Sequence, residues 1–524
     1  MEFENVSQIE QATHPGRSEL FRLGVALLFV VAVMLYSGVT VGEVPNGYLL
    51  IAAAMIGGYM AINIGANDVA NNVGPAVGSK AITLTGAIIM AAIFEGSGAL
   101  IAGGDVVSTI KKGIIDPSMI SSPDTFIWLM MAALLAGAIW LNIATALGAP
   151  VSTTHSIVGG VLGAGIAAGG FGIANWPKMG QIAASWIISP VMGGIIAAAF
   201  LYFIKRTVTY RGEKMAESAG KIVPLLIAIM TWAFSTYLVL KGLKKIWATD
   251  IQTALGIGAL LGIVAFFVAR PRIGQRIKLI SNDKQGVNRL FITPLICAAA
   301  LLSFAHGAND VANAVGPLAA INDAILQGEV SSTASIPIWV MLVGAVGIAV
   351  GLALYGPKLI RTVGTEITEL DQMRAFCIAL AAAITVIIAT HFGLPVSSTH
   401  VAVGGIFGVG FLREYLKTTY TNMLLDIELH HKGEDEEEVE RFLTEFKLAS
   451  IAEKSTMLKK LKAKNGDRHH LNKEERKKLY RVYRHELVKR DHLLKIAAAW
   501  VITVPISGIM AALLYYMIRG MMLP

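Results

Sequence analysis

Two duplicated strings supply the polar residues of this chain that can do chemistry. Residues 65–74 read GANDVANNVG and residues 307–316 read GANDVANAVG. Each sets an Asn beside an Asp, with a second Asn four places after the first: Asn67, Asp68 and Asn71, then Asn309, Asp310 and Asn313. The other pair is VSTTH at 151–155 and VSSTH at 396–400, each directly after a proline, Pro150 or Pro395. Proline followed by Ser and Thr ahead of a Gly-rich apolar run marks a helix N-terminus. Unpaired N–H groups and the positive end of the helix dipole favour an anion there. Ser152, Thr153, Thr154, Ser397, Ser398 and Thr399 add six hydroxyl donors. Two such ends meeting at a pseudo-twofold axis would surround a small tetrahedral oxyanion from both sides.

Asp68 and Asp310 fit an anion site only with partners, because a buried carboxylate is costly alone. Asn67, Asn71, Asn309 and Asn313 offer amide oxygens, and unwound backbone at Gly65 and Gly307 is expected to offer carbonyls. Oxygen-only ligation suits a hard cation such as sodium. A carboxylate can also accept a proton from the oxyanion itself. Phosphate carries an OH at neutral pH and sulfate does not, so Asp beside the anion favours the first. Glu95 is a lone acid in an apolar run, AAIFEGSGA, with no counterpart in the second half. It is read either as a cation or proton ligand or as a structural hydrogen-bond partner. His155 and His400 are paired by the repeat, and a fixed structural hydrogen bond is expected for both. His306 stands where the first half has Ile64, so it is not part of a symmetric site.

The elements that must position these residues are membrane helices. The chain of 524 residues is 54% hydrophobic and only 15% charged, with mean hydropathy +0.61. Soluble domains carry about 25% charged residues. Net charge +8 reflects basic loops of a membrane protein rather than a nucleic-acid partner. Cys297 and Cys377 give neither a disulfide framework nor a CxxC metal motif. The acidic start MEFENVSQIE does not resemble a signal peptide. Apolar runs of spanning length lie near 21–42, 45–64, 82–104, 126–148, 183–204, 222–241, 253–269, 290–306, 334–356, 376–392 and 496–518. The Gly-rich segments 148–170 and 393–412 read as half-helices or re-entrant hairpins. The fold class is therefore an all-α polytopic membrane protein of about 11–13 segments.

The duplication extends over most of the chain. Asp310 follows Asp68 by 242 positions, His400 follows His155 by 245, and Trp500 follows Trp186 by 314. The halves are collinear until one insertion of 69 residues late in the second. This gives an N-terminal tail (1–20), an extra span (21–42) and a first repeat (45–204). Basic loops and two linking spans follow (205–289), then the second repeat (290–412), a charged insertion (413–494) and the last span of repeat 2 (495–524). The insertion carries GEDEEEVE at 433–440 and a basic stretch with Leu479, Val482, Tyr483 and Leu487 at helical spacing, read as a solvated helical hairpin or as a regulatory or partner-binding element. If the repeats are inverted, the basic loops 205–221 and 270–289 share the cytoplasmic face with the insertion and the N-terminus. Lys241, Lys244 and Lys245 fall on the outer side and run against that scheme.

The GANDVANA-type strings at 65–72 and 307–314, with the paired P-V-S-[ST]-T-H strings, resemble the inorganic phosphate transporter family. Asn72 departs from the signature, where the second copy has Ala314. The resemblance covers about 45–518. It implies two inverted repeats and import of phosphate across the cytoplasmic membrane by secondary transport coupled to sodium or protons. It implies phosphate held by Ser152, Thr153, Thr154, Ser397, Ser398 and Thr399. It assigns the Asn67/Asp68 and Asn309/Asp310 pairs to phosphate and cation. The stretch 77–116, with its intramembrane Glu95, is similar to the sodium-coupled branch, which favours sodium; with the amide oxygens above, the cation set is Asn67, Asp68, Asn71, Asn309, Asp310, Asn313 and Glu95. The expected partners are phosphate, sodium and membrane lipid, with a homo-oligomer compatible with the sequence, no nucleic acid, no bound cofactor and no enzymatic role. A proton-coupled carrier and a sulfate permease on the same scaffold are the alternatives. A channel and a phosphate-ester hydrolase are weaker, the latter lacking any metal-binding constellation.

Overall fold

The computed structural model describes residues 2–42, 44–120, 122–242, 247, 249–328, 336–361, 370–430, 441, 445 and 490–522. Among them the regular structure is helical, apart from one antiparallel bridge between Ile115 and Ala174. Eleven helical stretches there are long and apolar enough to cross a membrane, matching the hydrophobic runs. Their outward faces carry Ile187, Ile195, Leu260, Ile263 and Phe267. Water would penalise such faces and lipid does not.

The first half contains α1 (Glu2–Val41), α2 (Gly47–Asn67), α3 (Val69–Gly78), α4 (Leu84–Ala102) and α5 (Gly104–Lys112). α6 (Pro123–Leu147), α7 (Thr153–Gly169) and α8 (Trp176–Thr207) complete it. The linking spans are α9 (Met215–Tyr237) and α10 (Ile251–Ile277). After the short α11 (Lys284–Leu290), the second half repeats the order. It has α12 (Ile292–Asp310), α13 (Ala312–Gln327), α14 (Ile338–Arg361), α15 (Gln372–His391), α16 (Ser398–His430) and α17 (Arg490–Met522). α16 runs on into the charged segment. The acidic run 433–440 and the expected amphipathic helix around Leu479, Val482, Tyr483 and Leu487 lie outside the described residues.

The duplicated strings break a helix twice, between α2 and α3 at Asp68 and between α12 and α13 at Val311. Gly65 and Gly307 are not at these breaks. Both are helical, which corrects the expectation that their backbone is unwound and supplies carbonyls. Their role is close packing between the halves. α2 crosses α14 where a Cβ on Gly65 would meet the Ile348 carbonyl, and one on Gly351 the Ile62 carbonyl. α12 crosses α4 in the same way, with Gly307 against the Glu95 carbonyl and Gly98 against the Phe304 carbonyl. Only glycine lets the backbones touch, and in lipid such close van der Waals approach is what holds helices together. The repeat offset pairs Gly65 with Gly307 and Ile64 with His306, and the carbonyls those glycines meet pair Ile348 with Glu95 in space.

The hairpins are interlocked as well. α17, the last span of the second half, packs along α7 of the first, while α8 packs along α16. Each tip turns at a left-handed glycine, Gly148 (φ 73°) after α6 and Gly393 (φ 63°) after α15. The two halves are therefore not separate bodies: each braces the other's hairpin and crosses the other's broken helix.

Candidate functional site

The two hairpin helices start as the capping pattern requires. The Ser152 hydroxyl accepts the His155 amide at 3.1 Å, and the Ser397 hydroxyl accepts the His400 amide at 3.2 Å. Capping places Thr153, Thr154, Ser398 and Thr399 in the first turns of α7 and α16, where intrahelical acceptors are lacking. All six hydroxyl residues are buried at the contact between the tips.

The broken helices meet them there. Asp68 accepts the Thr153 hydroxyl at 2.6 Å and the Thr399 hydroxyl at 3.0 Å, so one carboxylate holds both halves. The Asn71 amide donates to Thr399 Oγ1 at 2.9 Å. Its repeat mate Asn313 donates to Thr154 Oγ1 at 3.1 Å and to Thr153 Oγ1 at 3.0 Å. Ser398 donates to Asp310 Oδ2 at 3.2 Å. Asn67 and Asn309 sit one layer behind and fasten the hairpin loops. Asn67 donates to Thr145 Oγ1 (2.9 Å) and the Ala149 carbonyl (3.2 Å), and accepts the Val151 amide (3.1 Å). Asn309 donates to Thr390 Oγ1 (3.0 Å) and the Leu394 carbonyl (3.2 Å). The sequence strings thus come together as one cluster, although 328 residues separate Asn71 from Thr399.

Three oxygens of this cluster are buried without a hydrogen-bond donor among the described residues: Asn71 Oδ1, Asn309 Oδ1 and Asp310 Oδ1. Buried acceptors are ordinarily satisfied. Hydroxyl donors and helix N-termini suit an oxyanion, and donorless carboxylate and amide oxygens suit a hard cation.

Glu95 is not alone. Its Oε2 lies 2.6 Å from His306 Nδ1, and its Oε1 accepts the Asn72 amide at 2.8 Å. His306 Nε2 lies 3.1 Å from Asp310 Oδ2, and ligand atoms of Asp68, His306 and Asp310 fall within 4.8 Å of one another. Sequence reading set His306 aside because it breaks the repeat. The usable signal was that Asn72, Glu95 and His306 each depart from their repeat mates, and the three departures touch. His155 and His400 lie behind the tips as part of an aromatic stack. Their rings meet edge to face at 4.3 Å, His155 against Trp186 (3.8 Å) and His400 against Trp500 (3.6 Å). Among the described residues neither ring nitrogen of His400 has a hydrogen-bond partner, so packing replaces the fixed bond expected for that residue.

The sequence matches the profile of the phosphate transporter family over residues 64–511. The chain belongs to that family. A candidate phosphate permease of Helicobacter pylori strain J99 is 50% identical to this transporter over 98% of both chains. One from Pyrococcus horikoshii is 40% identical over 71% of this chain and 90% of its own. A solved structure, a sodium-dependent phosphate transporter, is 31% identical with a TM-score of 0.73, covering 91% of this chain and 100% of that one. The family and the apolar spans make this phosphate transporter an integral membrane protein and a permease rather than an enzyme.

Proposed function

We propose that this transporter imports inorganic phosphate across the cytoplasmic membrane by symport with sodium, alternating access through two inverted repeats (45–204 and 290–412 with 495–524). Phosphate is held between the tips by Ser152, Thr153, Thr154, Ser397, Ser398 and Thr399, with Asp68 and Asp310 accepting its proton. Sodium is coordinated by oxygens of Asn67, Asp68, Asn71, Asn309, Asp310 and Asn313, with Glu95 supplying charge from behind His306. The N-terminus and the 413–494 segment lie on the cytoplasmic side.

The observation that carries this reading is the set of donorless buried oxygens, Asn71 Oδ1, Asn309 Oδ1 and Asp310 Oδ1, beside a ring of hydroxyl donors. An anion alone would leave those oxygens repelled. A cation between them and the anion satisfies both, so each ligand raises the affinity for the other. The sodium dependence in the name of the similar solved transporter supports the same choice. One observation favours protons instead: His306 is a titratable group between Glu95 and Asp310.

Labelled-phosphate uptake into proteoliposomes separates the two, comparing an inward sodium gradient with an inward proton gradient at matched voltage. Accumulation under sodium alone is expected. Accumulation under the proton gradient alone would overturn the sodium assignment while keeping the anion site. Uptake suppressed by competing sulfate would overturn the phosphate specificity.

A further inference from the structure

The two hairpins carry the same residues and make different bonds. Thr154 and Thr399 are repeat mates, 245 positions apart, and each accepts the side-chain amide of the other half's Asn, Asn313 or Asn71. Each hydroxyl has one proton to give. Thr399 gives it to Asp68 Oδ1 at 3.0 Å, whereas Thr154 gives it to the Val396 carbonyl at 3.1 Å. The copy of the first bond, Thr154 to Asp310 Oδ1, is not made, and that oxygen is buried without a donor.

Two further pairs of mates differ in the same sense. Trp186 donates from Nε1 to the Pro395 carbonyl at 3.1 Å, while its mate Trp500 has a buried Nε1 without a partner among the described residues. Asn67 Oδ1 accepts the Val151 amide at 3.1 Å, while Asn309 Oδ1 has no donor. One geometric cause covers all three. Residues 395–396 of the second hairpin are bonded to Thr154 and Trp186 of the first half and give no bond to Asn309 Oδ1. In the first hairpin, Val151 is fastened to its own Asn67, and Thr399 and Trp500 of the other half do not reach residues 150–151.

Buried polar atoms without partners are costly. Exchanging the roles of the hairpins would satisfy Asp310 Oδ1, Asn309 Oδ1 and Trp500 Nε1, and would release Asp68 Oδ1, Asn67 Oδ1 and Trp186 Nε1. Bonds of the same kind and number are made either way, so the two arrangements are close in energy. A two-state element needs that balance.

We propose that these bonds form a reciprocal latch, whose exchange between the hairpins accompanies the switch of access from one face to the other. In the second state Thr154 donates to Asp310 Oδ1, Thr399 to the Val151 carbonyl and Trp500 to the Pro150 carbonyl. This rests on the alternating-access reading of two inverted repeats. An oxygen that accepts a hydroxyl keeps a second lone pair, so the latch and the cation can share Asp310. Trp186 and Trp500 are positioning residues, since they stack behind the tips on His155 and His400.

The test measures distances between spin labels on the intact transporter, with Cys297 and Cys377 replaced by alanine. Labels go at Leu147, exposed beside the first tip, and at Leu260, exposed on α10. Two distances are expected, one of them that of this structure. Trp186→Phe keeps the stack and removes a bond made only in this state, so the other population should rise severalfold. Trp500→Phe removes a bond made only in the other state and should enrich this structure's distance severalfold. The double variant should return to the wild-type ratio. A single distance in all four proteins, shifts of the same sign, or no shift would overturn the proposal.

The apparent KM on each face depends on the fraction of transporter open to it. The ratio of outer to inner KM for sodium-driven phosphate uptake, from right-side-out and inside-out vesicles, should therefore move in opposite directions in the two variants. A ratio that both variants leave unchanged would also overturn the latch. Absence of wild-type phosphate uptake would instead count against the transport reading, which separates the two failures.

Discussion

Glu95 and His306 face each other across the α4–α12 crossing, with Oε2 and Nδ1 2.6 Å apart and both side chains fully buried. The equivalent crossing of α2 and α14 has Ile348 and Ile64 in their places, also buried. One contact of the duplicated framework has been made polar and its twin left apolar. Through His306 the polar one meets Asp310 Oδ2 at 3.1 Å, with Asp68 within 4.8 Å of both and taking its hydrogen bonds from the Thr153 and Thr399 hydroxyls. The two Asn-Asp strings are alike in sequence and unlike in surroundings.

Restoring the apolar twin tests what the polar contact is for. The triple variant Asn72→Ala, Glu95→Ile, His306→Ile rebuilds the residues of the other crossing. Replacing a buried ion pair by packed apolar groups is often neutral for stability, whereas removing one partner costs about 3–5 kcal/mol. His306→Ile alone is therefore expected to lower the thermal midpoint sharply, and the triple variant to recover much of it. Cation-driven uptake should stay absent in both. Recovered uptake in the triple variant would show the network to be structural only.

Asp68→Asn and Asp310→Asn should each abolish cation-coupled uptake while the protein remains folded. Asn keeps an acceptor for Thr153 and for Ser398 but removes the negative charge a cation would need. Uptake at saturating sodium together with a melting curve checks both halves of the statement. Full cation-dependent uptake in both variants would sink the site assignment.

The crossings predict a sharp contrast between glycines on one face and another. A Cβ at Gly65 would overlap the Ile348 carbonyl, and backbone cannot move aside as a side chain can. Gly96 has nothing within 4 Å of the same position. Gly65→Ala should lower stability by at least the roughly 1–3 kcal/mol typical of overpacking. Gly96→Ala should be neutral or slightly stabilising, as Gly to Ala within a helix gains about 0.5–1 kcal/mol. Melting temperatures of the two variants in detergent decide it, and equal shifts would contradict the packing described.

Outside the spans, Asp371 ties the start of α15 to α11. It accepts the Arg374 amide at 3.0 Å, and its Oδ2 lies 3.4 Å from Arg374 Nε and 3.5 Å from Lys284 Nζ. Burial pushes its carboxyl up, but the Arg374 and Lys284 charges outweigh that and hold it below its ordinary value. A carboxylate held low stabilises the fold above its unfolded value, about 3.9. The contribution disappears as pH falls through the folded value. Asp371→Ala should therefore lower the melting temperature at pH 7, with the gap to wild type narrowing below about pH 4. A gap that persists unchanged at the lowest pH would assign the whole effect to the lost helix cap.

The sequence alone determined the class of fold, because spanning length and a low charge fraction permit few other structures. It also determined the duplication and the hydroxyl and Asn-Asp strings, since both copies lie in register along the chain. Capping chemistry placed Ser152 and Ser397 at helix starts, because a cap is decided by neighbours within three residues. What the tertiary structure decided is everything that depends on which helix lies against which. Glu95 and His306 are 211 residues apart, and no periodicity announces their contact. Gly65 and Gly307 looked like breaks in a helix, and proved to be where another backbone passes. Local sequence specifies local conformation. Two interlocked halves bring remote residues together through packing, and that information lies in neither half alone.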